Sequence, residues 1–211
     1  VLYITLCVAL LFALSNFVFK LDKLAITQIL VSGNKNIETT SVFKVVYQNL
    51  SGTYYKLYPK NNILLYPKED IRASLMRNFI WLKDINVASA LGNISLVLRE
   101  REPMYLWCDS ADKPIMERVC YYLDEDGFAF AVAPQFSSGV YLGFYGGNKR
   151  GGYMGRNILE PSRFHSVIKM KDSLLKVIEA REPDLGHLTG IFVNKNEDYD
   201  LLFDGSGSKW K

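Results

Sequence analysis

The first 19 residues, VLYITLCVALLFALSNFVF, carry no charged side chain, and this run constrains the chain more than any other feature. A helix rises about 1.5 Å per residue, so the run reaches roughly 28 Å, close to the hydrocarbon thickness of a bilayer. Its polar members Thr5, Ser15 and Asn16 suit such a helix, because each can bond to its own backbone. Lys20, Asp22 and Lys23 end the run abruptly, and the sequence beyond mixes apolar and polar residues as an aqueous domain does. A cleaved secretion signal would have a shorter apolar core and small residues before the cut, whereas Ser15 to Phe19 is bulky. A core helix this uncharged at a chain end would need an unusually large protein around it. Residues 1–20 therefore read as a membrane anchor. No second long apolar run follows, so the remainder is expected on one side of the membrane.

Composition narrows the remainder. The chain has 211 residues, enough for one or two modest domains, and 49% of them are apolar, enough for a real core. A net charge of +3 is too mild to argue for a nucleic-acid partner. Three cysteines without a C-x-x-C, and His165 and His187 far from any cysteine pair, argue against a zinc or thioredoxin-like site. No G-x-S-x-G elbow is present, and the glycine-rich stretch Gly146–Gly155 lacks both the Walker and the G-x-G-x-x-G patterns. No catalytic residue, metal, cofactor or small-molecule substrate is expected. Cys108 and Cys120 could pair in an oxidising compartment, but the sequence leaves that open.

The stretch after the anchor reads as a strand over 25–31, a turn over 32–36 and a helix starting near Thr39 or Thr40, either of which can serve as cap. Val42, Val45, Val46, Asn49 and Leu50 mark one face of that helix. Residues 53–66 interleave Tyr54, Tyr55, Tyr58 and Tyr66 with Lys56 and Lys60, and read as a long connection whose aromatics close over the sheet. A second helix is predicted after Pro67, with Ile71, Leu75, Met76 and Phe79 as its apolar stripe. Strands near 85–90 and from Ile94 onward form a hairpin about Leu91-Gly92-Asn93. The first strand must join them by a non-local contact. The result is a β-α-α-β-β unit with two helices on one face of a small sheet.

Beyond it, Cys120–Leu123, Asp124-Glu125-Asp126-Gly127 and Phe128–Val132 give a hairpin about an acidic turn. The turn does not meet the calcium-loop spacing and reads as plain and exposed. Short strands are predicted at 140–144, 188–193 and 199–203, with a helix over 161–181. The fold class is α+β throughout, with the second region mainly antiparallel.

In this order the features resemble the FtsQ/DivIB family of bacterial cell-division proteins, in which an anchor precedes a POTRA domain and a β domain. The POTRA start resembles ITQILVSGNKNIETTSVFKVV, with Gly33 and Asn34 in its turn. PKEDIRASLMRNFIWLKDINVA resembles the second helix and its following strand, with Trp81 in place and Ile80 where proline is usual. ISLVLREREPMYLW is the closest piece, with Glu100, Arg101, Pro103 and Trp107 on the family pattern. YYLDEDGFAFAVAPQF resembles the hairpin opening the β domain, with Asp124, Asp126 and Gly127 in its turn. The match fades over 137–211, the 53–66 connection is longer than the family's, and the last strand reads as cut short.

The resemblance implies a transmembrane anchor over 1–20, a POTRA domain over 24–106 and a β domain over 107–211. It implies a single-pass protein of the cytoplasmic membrane, its bulk extracytoplasmic, that recruits septal partners resembling FtsB and FtsL. It implies no enzymatic activity. Two rival expectations are a POTRA-type chaperone or secretion component, which would repeat such units or continue into a barrel, and an envelope hydrolase, which would gather His, Asp, Glu or Ser in one pocket.

Overall fold

The computed structural model describes residues 2–90, 92–109, 117–135, 139–146, 153–181, 186–194, 198–203 and 209–210. The chain divides into two compact units, 1–100 and 101–211.

The first unit opens with α1, Leu2–Phe19. Its apolar side chains stand exposed, with Tyr3, Leu6, Leu11 and Phe17 between 67% and 80% accessible. A helix in water would hide one such face. Thr5 and Ser15 each donate to the carbonyl three residues back, Leu2 and Phe12, at 2.8 Å, which satisfies the hydroxyls inside the helix. Among the described residues α1 is the one helix long and apolar enough to cross a membrane.

A three-stranded sheet follows, formed by β1 (Gln28–Ser32), β4 (Leu82–Ala90) and β5 (Asn93–Glu100) in the order β1-β5-β4. β4 and β5 pair antiparallel from Ala90↔Asn93 to Leu82↔Glu100, and β1 lies parallel to β5 from Gln28↔Asn93 to Ser32↔Val97. Strand alternation sends Ile94, Leu96 and Leu98 inward and leaves Val97 and Arg99 outside. The inner face meets α2 (Thr39–Leu50) through Val42, Val45, Val46 and Leu50, and α3 (Lys68–Asn78) through Ile71 and Leu75. Each fully buried aliphatic side chain contributes about 1.5–3 kcal/mol. That burial holds α2 against the poor helix propensity of its valines.

Three local expectations change. The first strand starts at Gln28 rather than Ala25, because Ala25 bridges to Asn62 instead. Neither Thr39 nor Thr40 caps α2: Glu38 holds that position without a side-chain bond, and Asn34 Nδ2 donates to Thr39 Oγ1 at 3.1 Å. Of the tyrosines in 53–66, Tyr54, Tyr55 and Tyr58 do not close over the sheet. Tyr66 alone among them packs on this core, and the rest form a ribbon of β2 (Thr53–Tyr54) and β3 (Tyr58–Pro59) that turns toward α1.

The second unit is an eight-stranded sheet with one long helix. Its strands are β6 (Tyr105–Cys108), β7 (Cys120–Leu123), β8 (Phe128–Ala133), β9 (Leu142–Gly146), β10 (Arg156–Asn157), β11 (Leu188–Val193), β12 (Tyr199–Phe203) and β13 (Lys209–Trp210). They run in the order β10-β8-β7-β6-β9-β11-β12-β13. Five of the seven pairings are antiparallel; β9 is parallel to both β6 and β11. The second sheet therefore begins at Tyr105, before the expected boundary at 107, because β6 pairs along its whole length with β7 and β9. Successive residues of β6 face opposite sides: Trp107 joins a core with Phe144, Ile191 and the helix residues Phe164 and Val167, while Leu106 and Cys108 join a smaller cluster with Ala133 and Tyr145. α4, Pro161–Arg181, starts as expected with proline in its first turn, and Glu160 accepts the Arg163 N–H at 3.1 Å. Cys108 and Cys120 face each other across β6–β7 and form a disulfide.

Candidate docking surfaces

Open strand edges are the surfaces on which these two sheets can take a partner by main-chain bonds. In the first sheet β1 and β4 each pair on one side only among the described residues. The outer face carries Leu30 and Val97, each about half exposed. In the second sheet β12 pairs with β11 from Tyr199 to Phe203 and, among the described residues, with β13 at Leu201 and Leu202. Asp200, on the same strand, takes a 3.2 Å bond from Asn194 at Oδ2, while its buried Oδ1 has no partner among the described residues.

Two buried carboxylates fix the loops of these sheets. The first is Glu100, at the end of β5 and 7% exposed. Its oxygens accept the backbone N–H groups of Lys35 (2.7 Å), Asn36 (2.9 Å) and Ile37 (2.9 Å), together with Asn36 Nδ2 (2.9 Å). Burial alone would push this carboxyl up. The three N–H donors and the Asn36 amide outweigh burial and hold it below the ordinary glutamate value. Gly33 makes the loop possible: its φ is +82°, and a Cβ there would stand 2.2 Å from the Leu98 carbonyl oxygen. Asn34 Nδ2 also donates to Ile37 O at 2.8 Å. Gly33, Asn34 and Glu100 thus meet in one latch between the end of β1, the loop into α2 and the end of β5.

The second carboxylate is Asp124, fully buried at the β7–β8 turn. Its Oδ1 accepts from the N–H groups of Asp126 (2.9 Å) and Phe128 (3.0 Å), and its Oδ2 pairs with Arg101. The Arg101 guanidinium also lies over the Phe128 ring, 3.8 Å from its centre. Gly127, φ +72°, packs so closely on Phe164 that a Cβ would approach the ring to 2.7 Å. Asp126 is linked to α4 by His165, whose Nε2 lies 3.0 Å from its carboxylate and 3.1 Å from Glu125 O, so that nitrogen donates. Asn157 Nδ2 donates to Asp126 O at 2.9 Å. The turn expected to be plain and exposed is therefore a packed junction of β8, β10 and α4, because arginine, helix and strand all converge on it.

The remaining motif positions stand apart from these latches. Trp81 packs on the first core. Pro103 lies in the irregular stretch between β5 and β6. Trp107 is buried in the second core, donating Nε1 to Gly146 O at 3.1 Å and lying 3.7 Å from the Tyr153 ring. Three elements escaped the sequence reading: the Arg101–Asp124 pair, the His165 contact and buried Asn62. Their partners lie tens of residues away, and no local pattern marks them. Among the described residues no three His, Cys, Asp or Glu side chains gather as a metal ion requires. Most of the glycine-rich stretch falls outside the described residues. No protein-family model matches the chain, and no curated protein matches it.

Proposed function

We propose that this chain is a bitopic scaffold of the FtsQ/DivIB kind. α1 anchors it once in the cytoplasmic membrane, and the region beyond it is extracytoplasmic. There it recruits and links divisome proteins at the septum by docking, without catalysing a reaction and without binding nucleic acid or a small molecule. The observation that carries this reading is the succession of parts: a helix with exposed apolar side chains, then strand, helix, the short β2–β3 ribbon, helix, strand and strand with β1 parallel to β5, then a larger sheet with one long helix. A POTRA unit followed by a β domain would have that order. The Cys108–Cys120 disulfide agrees with an oxidising compartment. Partners resembling FtsB and FtsL would add an extended segment at β12, which among the described residues pairs with β13 at Leu201 and Leu202.

Co-purification of the full chain with those septal coiled-coil proteins tests the reading, beside a form ending at Asp198 that lacks β12 and β13. Capture by the full chain and loss in the shortened form is the expected result. Capture by neither refutes the scaffold role, and equal capture by both moves docking away from β12.

A further inference from the structure

The ribbon β2–β3 and its sequel run along α1. Ile63 N–H donates to Leu24 O at 2.8 Å, and Ile26 N–H to Asn61 O at 2.7 Å. Buried Asn62 donates Nδ2 to Phe19 O at 2.9 Å. Nearer the ribbon tip, Tyr58 meets the Phe19 ring edge-on at 5.5 Å, and its hydroxyl lies 3.4 Å from that of Ser15. From Ile63 back to Tyr58 the contacts move from Leu24 to Ser15, so the ribbon points back along the helix with its tip, 55–57, beyond Tyr58.

That tip is strained. Tyr55 and Lys56 have φ of 51° and 61°, and Leu57 N–H closes the turn on Tyr54 O at 2.9 Å. Turns with two left-handed residues normally take Asn-Gly. Non-glycine residues held there point toward a role for what they present. Here they present a tyrosine 90% exposed and a lysine, with Leu64 also exposed nearby in sequence.

Lys20, Asp22 and Lys23 follow α1 directly, and charged side chains are costly in hydrocarbon. The end of the apolar run therefore puts Phe19 at the hydrocarbon boundary. Whatever packs along Ser15–Phe19 then sits in or just under the headgroup layer. Tyrosine suits that layer because its ring tolerates the boundary, and lysine because its ammonium reaches anionic headgroups. We propose that the β2–β3 ribbon is a membrane-contacting finger that seats Tyr55, Lys56 and Leu64 in the headgroup layer of an anionic bilayer beside α1. This rests on the anchor part of the proposed function, and not on its septal partners.

Nitroxide labels on the full chain in vesicles test it, with Cys7→Ser and one new cysteine at a time: Phe12→Cys in α1, Tyr55→Cys and Leu64→Cys in the finger, Tyr47→Cys on α2 as the aqueous standard. Collisions with oxygen and with a water-soluble nickel chelate report depth. Position 12 should favour oxygen strongly. Positions 55 and 64 should be several-fold less open to the chelate than 47, more so with phosphatidylglycerol than with phosphatidylcholine alone, and Lys56→Glu should reduce that protection at 64. If 55 and 64 match 47 while 12 stays in lipid, the finger is wrong and the anchor stands. If 12 itself is open to the chelate, the anchor fails and the finger with it. Protection indifferent to phosphatidylglycerol overturns the anionic preference.

Discussion

Replacing Glu100 with alanine takes one shared acceptor away from the N–H groups of Lys35, Asn36 and Ile37. A charged hydrogen-bond acceptor of this kind is worth about 1.5–3 kcal/mol per bond, and water can replace part of it at a loop, so Glu100→Ala should cost about 2–3 kcal/mol. Urea titration of the variant measures this, and an unchanged midpoint would remove the latch from the account. The same carboxyl gives the first unit an acid dependence. Its folded value is held below the unfolded one, so its stabilisation is complete above the unfolded glutamate value of about 4.3 and is lost as pH falls through the folded value. Urea midpoints followed from neutral pH into acid should fall in that window, with a shallower fall in Glu100→Ala. Gly33→Ala meets both a left-handed φ and the Leu98 carbonyl, and should cost about 2 kcal/mol or more by the same titration.

The β7–β8 hairpin gathers two stabilising devices within one element. Asp124 is fully buried and its partner Arg101 nearly so, and removing one member of a buried ion pair leaves a charge without its counter-charge. Asp124→Ala should therefore cost about 3–5 kcal/mol. Asp124→Asn should cost less, because an amide oxygen can still accept from Asp126 and Phe128. Equal losses in the two variants, measured by denaturation, would mean that the arginine pair contributes nothing beyond the turn. Across the neighbouring pair of strands the Cys108–Cys120 disulfide closes a short loop, a restraint of about 2–4 kcal/mol. Reduction should lower the melting temperature of the second unit, and a melt indifferent to reductant would argue against the bond.

At the scale of the whole molecule, each unit has its own apolar core: Val42, Ile71 and Leu96 belong to one, Phe144, Phe164 and Ile191 to the other. Calorimetry of the full chain in detergent should resolve two transitions. Glu100→Ala should move one of them and reductant the other. A single transition shifted by both treatments would mean that the units unfold together.

The sequence by itself determined whatever rests on short-range pattern. The uncharged run over 1–19 declares α1, Leu2–Phe19, since no charged group interrupts it. The valine face of α2, the proline start and stripe of α4, and the alternation of β5 each declare an element, because helix and strand periods bring their apolar residues to one side. Only the tertiary structure decided where those elements meet. It paired β1 with β5 across more than sixty residues and placed β9 between β6 and β11. It buried Asp124 in a turn that composition marks as exposed, and brought Glu100 to the loop at 35–37. It also turned Tyr58 from the sheet toward α1. Those outcomes depend on which distant donor, ring or strand arrives at a given place, and that information lies in packing rather than in any local window of residues.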